Sequence, residues 1–216
     1  MGLVVRDREP LESDEHDLLV LTAAHVVDGC RPGHAIEASP ADGTGSAVRF
    51  GKLRRAVPLA PLPHIAVDAA VIKPDIEEFS YDNAAGGVWP TLVEDLWQAT
   101  DEEPVDVYKR GAATGLTRGT LLPVAADHYM ETVRARYTSG WWVWGRGGLF
   151  ADRGDSGSAV FDDQHRFVGL LVALDRDPRS TGGVDPTVAA YVHGARQVLT
   201  ALNIELEDEP PPKRGR

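Results

Sequence analysis

The chain is short of cysteine and of long apolar runs. Cys30 is the one cysteine among 216 residues, which excludes an internal disulfide and a cysteine-based zinc cluster. No stretch approaches the roughly 20 consecutive apolar residues that a membrane-spanning helix needs. The first ten residues also lack the apolar segment of a secretory signal peptide. These absences predict a cytoplasmic protein with no membrane partner.

Basic residues are scarce as well. The chain has 22 lysines and arginines against 33 aspartates and glutamates, which gives a formal net charge of −11 at pH 7. Proteins that bind nucleic acid neutralise phosphates with lysine and arginine, so this balance argues against such a partner. Most of the acidic residues are expected to form a solvated surface.

Short apolar segments recur along the chain and are separated by glycine and proline. Examples lie at 18–21, 69–72, 105–108, 159–161 and 168–174. Many short strands with such punctuation are typical of all-β barrels and sandwiches. Near the end, the apolar spacing of Ala195, Val198, Leu199 and Leu202 predicts a helix over 194–203.

Three segments carry residues that suit nucleophilic catalysis. They are an apolar run ending at His25, an aspartate at position 68 among apolar neighbours, and Ser156 in the turn Gly154–Ser158. A serine hydroxyl needs a base, and the base needs a carboxylate that fixes its tautomer and stabilises its positive charge. Taken alone, the serine segment is also a common surface turn, and His64 is a rival base because it lies four residues before Asp68.

In order and spacing, these segments resemble the trypsin-like (chymotrypsin-fold) serine peptidases, particularly compact bacterial members. The matching segments are LTAAHVV at 21–27, DAAVI at 68–72, KRGAATGLTRG at 109–119 and GDSGS at 154–158. The resemblance implies an all-β fold of two six-stranded antiparallel Greek-key barrels with a short C-terminal helix. The implied boundaries are 1–88 for the first barrel, 89–104 for the connection and 105–204 for the second barrel with its helix. The charged, proline-rich composition of 205–216 predicts a disordered tail.

The resemblance also implies roles for individual residues. His25 would be the general base, Asp68 its orienting carboxylate and Ser156 the nucleophile. The backbone amides of Gly154 and Ser156 would form the oxyanion hole. The residues implied to bind substrate are Phe150, Val172, Ala173, Leu174 and Ala189. None of them is acidic, which favours an apolar or small residue before the cleaved bond.

Asp155 would brace the nucleophile loop. In activated members of the family this aspartate pairs with a newly formed N-terminus, and the chain shows no internal activation site. We therefore expect a side-chain cation in its place, with Arg153, Arg118 and Arg146 as the candidates.

The function implied is that of a serine endopeptidase that works through an acyl-enzyme, with no metal or cofactor. The expected partner is a protein or peptide substrate, with control by a regulatory partner or neighbouring domain. One alternative is a catalytically silent barrel that serves as a binding or regulatory module. An α/β-hydrolase esterase is disfavoured, because Ser158 replaces the last glycine of its Gly-x-Ser-x-Gly motif and strands do not alternate with helices.

Overall fold

The computed structural model describes most of the chain. The described residues are 2–12, 17–39, 45–59, 64–65, 67–75, 90–92, 104–130, 135–176 and 188–207. Within these ranges the secondary structure consists of fourteen strands, one 3₁₀ turn at Ala24–Val27 and one α-helix, α1, at Ala195–Leu202. No helix in this part of the chain is long and apolar enough to cross a membrane.

The strands fall into two sheets. The strands up to residue 92 are β1 (Val4–Asp7), β2 (Leu18–Thr22), β3 (Ala35–Ala38), β4 (Val48–Ala56), β5 (His64–Ile65), β6 (Ala70–Pro74) and β7 (Thr91–Leu92). The later strands are β8 (Val105–Gly111), β9 (Gly115–Met130), β10 (Ala135–Gly145), β11 (Ala159–Asp162), β12 (Arg166–Arg176), β13 (Val188–Gly194) and β14 (Ile204–Leu206).

The first sheet has six antiparallel strands in the order β14-β1-β2-β6-β4-β3. Its central strands β2 and β6 align Val20 with Ile72 and Leu21 with Val71. Both strands are buried along most of their length, which fits their nearly continuous apolar sequence. The histidine motif follows β2, and the aspartate motif precedes β6. Because these two strands are antiparallel neighbours, both motifs lie at the same end of the strands.

The second sheet closes into a barrel. Its strands run in the order β11-β8-β9-β10-β13-β12, and β12 pairs with β11 to complete the six-stranded ring. Two short strands add to it in parallel: β7 pairs with β12, and β5 pairs with β10. The nucleophile segment joins the barrel at the start of β11.

Alternating side chains of the barrel strands serve two different cores. Val143, Leu171 and Val192 belong to the cluster inside the barrel. Tyr137 and Tyr191, on the opposite face, belong to a cluster that extends over the first sheet. Because neighbouring residues of a strand point to opposite faces of the sheet, these strands send one set of side chains into the barrel and the other set against the other half of the molecule. The candidate site lies along this junction.

The all-β class, the six-stranded barrel in the C-terminal half and the short C-terminal helix are confirmed. Residues 204–206 differ from the prediction, since they form β14 and pair with β1, aligning Val5 with Leu206. Glu207 is fully buried, so the predicted disordered tail does not begin at 205. Residues 208–216 lie outside the described ranges, and the boundaries of the two halves stay a prediction.

Candidate active site

His25 and Asp68 meet at the junction between the two halves. His25 lies in the 3₁₀ turn that follows β2, and Asp68 lies in the segment before β6. His25 Nδ1 is 2.7 Å from Asp68 Oδ2, and the backbone N–H of His25 donates to Asp68 Oδ1 at 3.0 Å. This double contact fixes the ring relative to the carboxylate and directs the other ring nitrogen, Nε2, away from it.

Asp68 is buried but well supplied with donors. Its exposed fraction is 0%. Burial alone would raise the pKa of Asp68, but the hydrogen bond and charge of His25 and the hydroxyl of Tyr137 bring that pKa below its ordinary value. Asp68 is therefore a stable carboxylate at neutral pH, able to balance a positive charge on His25.

The nucleophile loop depends on two glycines. Gly154 has φ +99° and Gly157 has φ +84°, in the left-handed region that favours glycine. The backbone amides of Asp155, Gly157 and Ser158 donate to the carbonyls of Asp152, Leu171 and Asp155. In the described part of the chain, the backbone amides of the other two loop residues, Gly154 and Ser156, have no acceptor.

The loop packs directly on the histidine segment. A β-carbon added at Gly157 would lie 2.5 Å from Thr22 Oγ1 and 2.9 Å from the backbone nitrogen of Ala23. The loop is also tied to β12, because Gly157 N–H donates to the Leu171 carbonyl at 2.8 Å. Ser156, which is partly exposed, and His25 therefore come from two segments in van der Waals contact.

A buried ion pair braces this loop. Lys109 Nζ lies 3.0 Å from Asp155 Oδ2, and both side chains are 0% exposed. Asp155 Oδ1 also accepts from the Ala113 amide at 2.8 Å, and Asp155 Oδ2 accepts from Thr114 Oγ1 at 2.7 Å. The expectation of an arginine partner was wrong, because the cation is Lys109.

The strand β8 explains this choice of cation. Lys109 follows Tyr108 in an alternating strand and points into the barrel, where its ammonium lies 5.7 Å from the centre of the Phe150 ring. Arg146 instead binds Asp106 at the surface. Burial lowers the pKa of Lys109, and the carboxylate of Asp155 opposes that effect. Burial would likewise raise the pKa of Asp155, but the bonds from Thr114, the backbone amides and Lys109 lower it, so the carboxylate stays ionised.

Among known proteins, no family model and no curated protein matches this sequence. Several solved structures do match this chain in their fold. Thermobifida fusca protease A superposes with a TM-score of 0.63 at 17% identity, over 97% of this chain and 91% of that one. Nocardiopsis protease gives 0.59 at 17% identity, over 95% and 90%. A glutamic acid specific serine protease gives 0.60 at 15% identity, over 95% and 91%. This chain has the chymotrypsin-like fold.

Within the chymotrypsin-like fold, the residues predicted to bind substrate lie in two places. Val172, Ala173 and Leu174 follow one another on β12, beside Ala189 on the paired strand β13. Phe150 is fully buried in the cluster inside the barrel, against which Leu174 also packs, and its carbonyl accepts from Thr117 Oγ1 at 2.6 Å. Their role in specificity stays a prediction.

Three important residues were not found by the sequence reasoning. They are Lys109, Tyr137 and His193, all fully buried. Lys109 lies inside the matching segment 109–119, but a lysine on a strand is expected at the surface, so the sequence gives no sign that this one is buried. For Tyr137 and His193 the strand pattern gives no sign of proximity to Asp68. The rival base His64 lies in β5, whose side chains are not described, and its backbone pairs with Arg136.

Proposed function

We propose that this protein is a serine endopeptidase in which His25, Asp68 and Ser156 form the catalytic triad. The observation that carries the proposal is the His25–Asp68 pair, because the segment that bears His25 packs against a glycine-flanked serine loop within a chymotrypsin-like fold. A buried aspartate bonded to both the ring and the backbone of one histidine is an arrangement that orients a general base. The serine segment supplies the third member in the matching chain order.

In the proposed reaction, Ser156 Oγ attacks the carbonyl carbon of a peptide bond. His25 Nε2 takes the hydroxyl proton and passes it to the leaving amine, while Asp68 holds Nδ1 and balances the imidazolium charge. Water then attacks the acyl-enzyme by the reverse sequence of proton transfers. The negative oxygen that forms in both steps would bind the amides of Gly154 and Ser156, and each such donor is worth roughly 3 kcal/mol.

The substrate would be an extended protein or peptide segment. The pairing of β12 with β11 ends at Leu170, and the neighbouring residues 172–174 have no strand partner on that side among the described residues. An extended chain can add to such an edge through backbone hydrogen bonds. The residues 172–174 and Ala189 would then lie beside the residue before the cleaved bond, and their apolar character favours a small or apolar side chain there.

A fluorophosphonate probe, which reacts with activated serines, tests the proposal. We expect the wild type to be labelled and Ser156→Ala to remain unlabelled while keeping its fold by circular dichroism. Ser158→Ala is the matched control. Ser158 lies two residues away, is fully buried, and its hydroxyl has no partner in the described structure. Absence of labelling in folded wild type would contradict the proposal and favour a silent barrel that acts as a binding or regulatory module.

Control by a partner or neighbouring domain is a separate part of the proposal. It predicts that the isolated chain cleaves few proteins in an unfractionated peptide or protein mixture, even when the probe labels Ser156 fully. Rapid cleavage of many unrelated proteins by the isolated chain would rule this part out and leave the triad proposal standing.

A further inference from the structure

Asp68 accepts a hydrogen bond from each half of the molecule. Its Oδ2 contacts both His25 Nδ1 and the hydroxyl of Tyr137, while Oδ1 accepts from the backbone of His25. His25 and Asp68 belong to the segments flanking the first sheet. Tyr137 belongs to β10 of the barrel, 69 positions further along the chain.

The barrel that supplies Tyr137 also supplies the serine loop. Strand β10 pairs with β13, β13 pairs with β12, and β12 is bonded to the loop through Leu171 and Gly157. The hydroxyl of Tyr137 therefore connects the carboxylate of the first half to the rigid body on which Ser156 stands. A change in the relative position of the two halves would break or lengthen this bond.

The ring of Tyr137 is held firmly. It is fully buried, stacks on Tyr191 at 6.0 Å between ring centres, and meets the edge of His193 at 5.0 Å. A ring packed in this way has lost its rotamer freedom before any substrate binds, so its hydroxyl is a fixed donor. Burial and the charge of Asp68 raise the pKa of Tyr137, which keeps its proton available for donation.

Building on the function proposed above, we propose that Tyr137 is a positioning residue of the active site. It sets the rotation of the Asp68 carboxylate relative to the serine loop, and it shares the negative charge that faces His25. Tyr137 touches no reacting atom and acts through Asp68 and His25.

Among the side chains that the structure describes, three titratable groups face Asp68 from the elements around it. They are His25 from the 3₁₀ turn, Tyr137 from β10 and His193 from β13, whose ring lies close enough to feel the charge of Asp68. Of these, Tyr137 alone shares Oδ2 with the histidine. Removing its hydroxyl would leave the whole charge of that oxygen to His25 and so strengthen the attraction between the carboxylate and a positively charged imidazole ring.

Tyr137→Phe removes the hydroxyl and little else, and Tyr191→Phe is the matched control. Tyr191 is equally buried in the same aromatic cluster, but its hydroxyl accepts from the Gly140 backbone at 2.9 Å and does not touch Asp68. With a peptide substrate, we expect Tyr137→Phe to lower kcat by about tenfold, as for a bond to a charged group. We expect the acid limb of its kcat/KM profile to move up by about half a pH unit. Tyr191→Phe should leave that limb where it lies in the wild type.

A second readout does not require activity. A proton held between His25 Nδ1 and Asp68 Oδ2, 2.7 Å apart, should give a far-downfield proton NMR signal, which can be followed in Ser156→Ala protein. Tyr137→Phe should move that signal, and Tyr191→Phe should not. Incorporation of 3-fluorotyrosine at position 137, which preserves the packing and strengthens donation, should move it in the opposite direction.

The inference is overturned if both phenylalanine variants share the wild-type acid limb and the wild-type NMR signal. A wild type that reacts with neither probe nor peptide contradicts the proposed peptidase, whereas the NMR comparison still decides whether Tyr137 positions the His25–Asp68 pair. If Tyr137→Phe does not fold, the protein with 3-fluorotyrosine at position 137 is the test. An NMR signal that stays at its wild-type position in that protein refutes the inference.

Discussion

We expect buried His193 to make the stability of this protein sensitive to mild acid. The side chain is fully buried between Tyr137 and Tyr191, and neither ring nitrogen has a hydrogen-bond partner in the described structure. Burial lowers the pKa of His193 from 6.5 to about 4, although the charge of Asp68 opposes the effect. The native state therefore keeps the ring neutral at a pH where the unfolded chain already binds a proton.

The direction of the effect follows from this difference in proton binding. Between pH 6.5 and about 4 the unfolded state holds more protons than the native state, so the free energy of unfolding falls as the pH falls. The full loss is about 3 kcal/mol, of which about 2 kcal/mol appears between pH 7 and pH 5. Below about pH 4 both states are protonated, and the contribution of His193 becomes constant.

Urea unfolding at pH 7 and pH 5 measures this loss directly. We expect His193→Phe, which keeps an aromatic ring in the cluster, to lose about 2 kcal/mol less than the wild type between the two pH values. His193→Gln is the matched variant. Glutamine differs from phenylalanine in shape and polarity, and the two substitutions have in common only that they remove the titrating imidazole ring. If either variant keeps the wild-type difference between pH 7 and pH 5, buried neutral His193 is not the source of the acid sensitivity.

Two further predictions concern the nucleophile loop. Lys109→Met leaves Asp155 as an uncompensated buried charge and should lower the free energy of unfolding by about 3–5 kcal/mol. The double variant that also carries Asp155→Asn should recover part of this loss. An equal loss in the single and the double variant would exclude the ion pair as the cause. Gly157→Ala should reduce probe labelling strongly, because its methyl group would overlap Thr22, whereas Gly147→Ala has a similar φ of +71° with nothing within 4 Å and should cost only about 1 kcal/mol of stability. Equal labelling of the two alanine variants would contradict the contact described for the loop.

The segments of the candidate site could be predicted because each is local. The His25 and Asp68 motifs lie at the ends of apolar strands, and short-range sequence determines both the strand and the turn. The glycines around Ser156 are likewise explained by their own backbone angles. The resemblance of their order and spacing to the trypsin-like peptidases then predicted that the segments belong together, and the His25–Asp68 contact at 2.7 Å agrees with that expectation.

The partners of these segments could not be predicted, because they depend on register between distant strands. Tyr137 reaches Asp68 only because β5 pairs with β10, which aligns Tyr137 with Ile65. A shift of one residue would turn the Tyr137 side chain to the opposite face. Lys109 was missed for a related reason: a lysine on a strand is expected at the surface, and only the closure of the barrel places it beside Asp155.

The pairing of strand β14 with β1 has a consequence for the order in which the first sheet assembles during synthesis. It pairs with β1, so that a segment near residue 205 completes the sheet begun at residue 4. During synthesis from the N-terminus, the edge of β1 stays without this partner until nearly the whole barrel has left the ribosome. The Arg6–Glu207 ion pair, 2.6 Å between Nε and Oε2, forms at the same late stage. A nascent chain thus carries His25, Asp68 and Ser156 before β14 completes the first sheet, so that sheet is finished only after the segment near residue 205 has been synthesised.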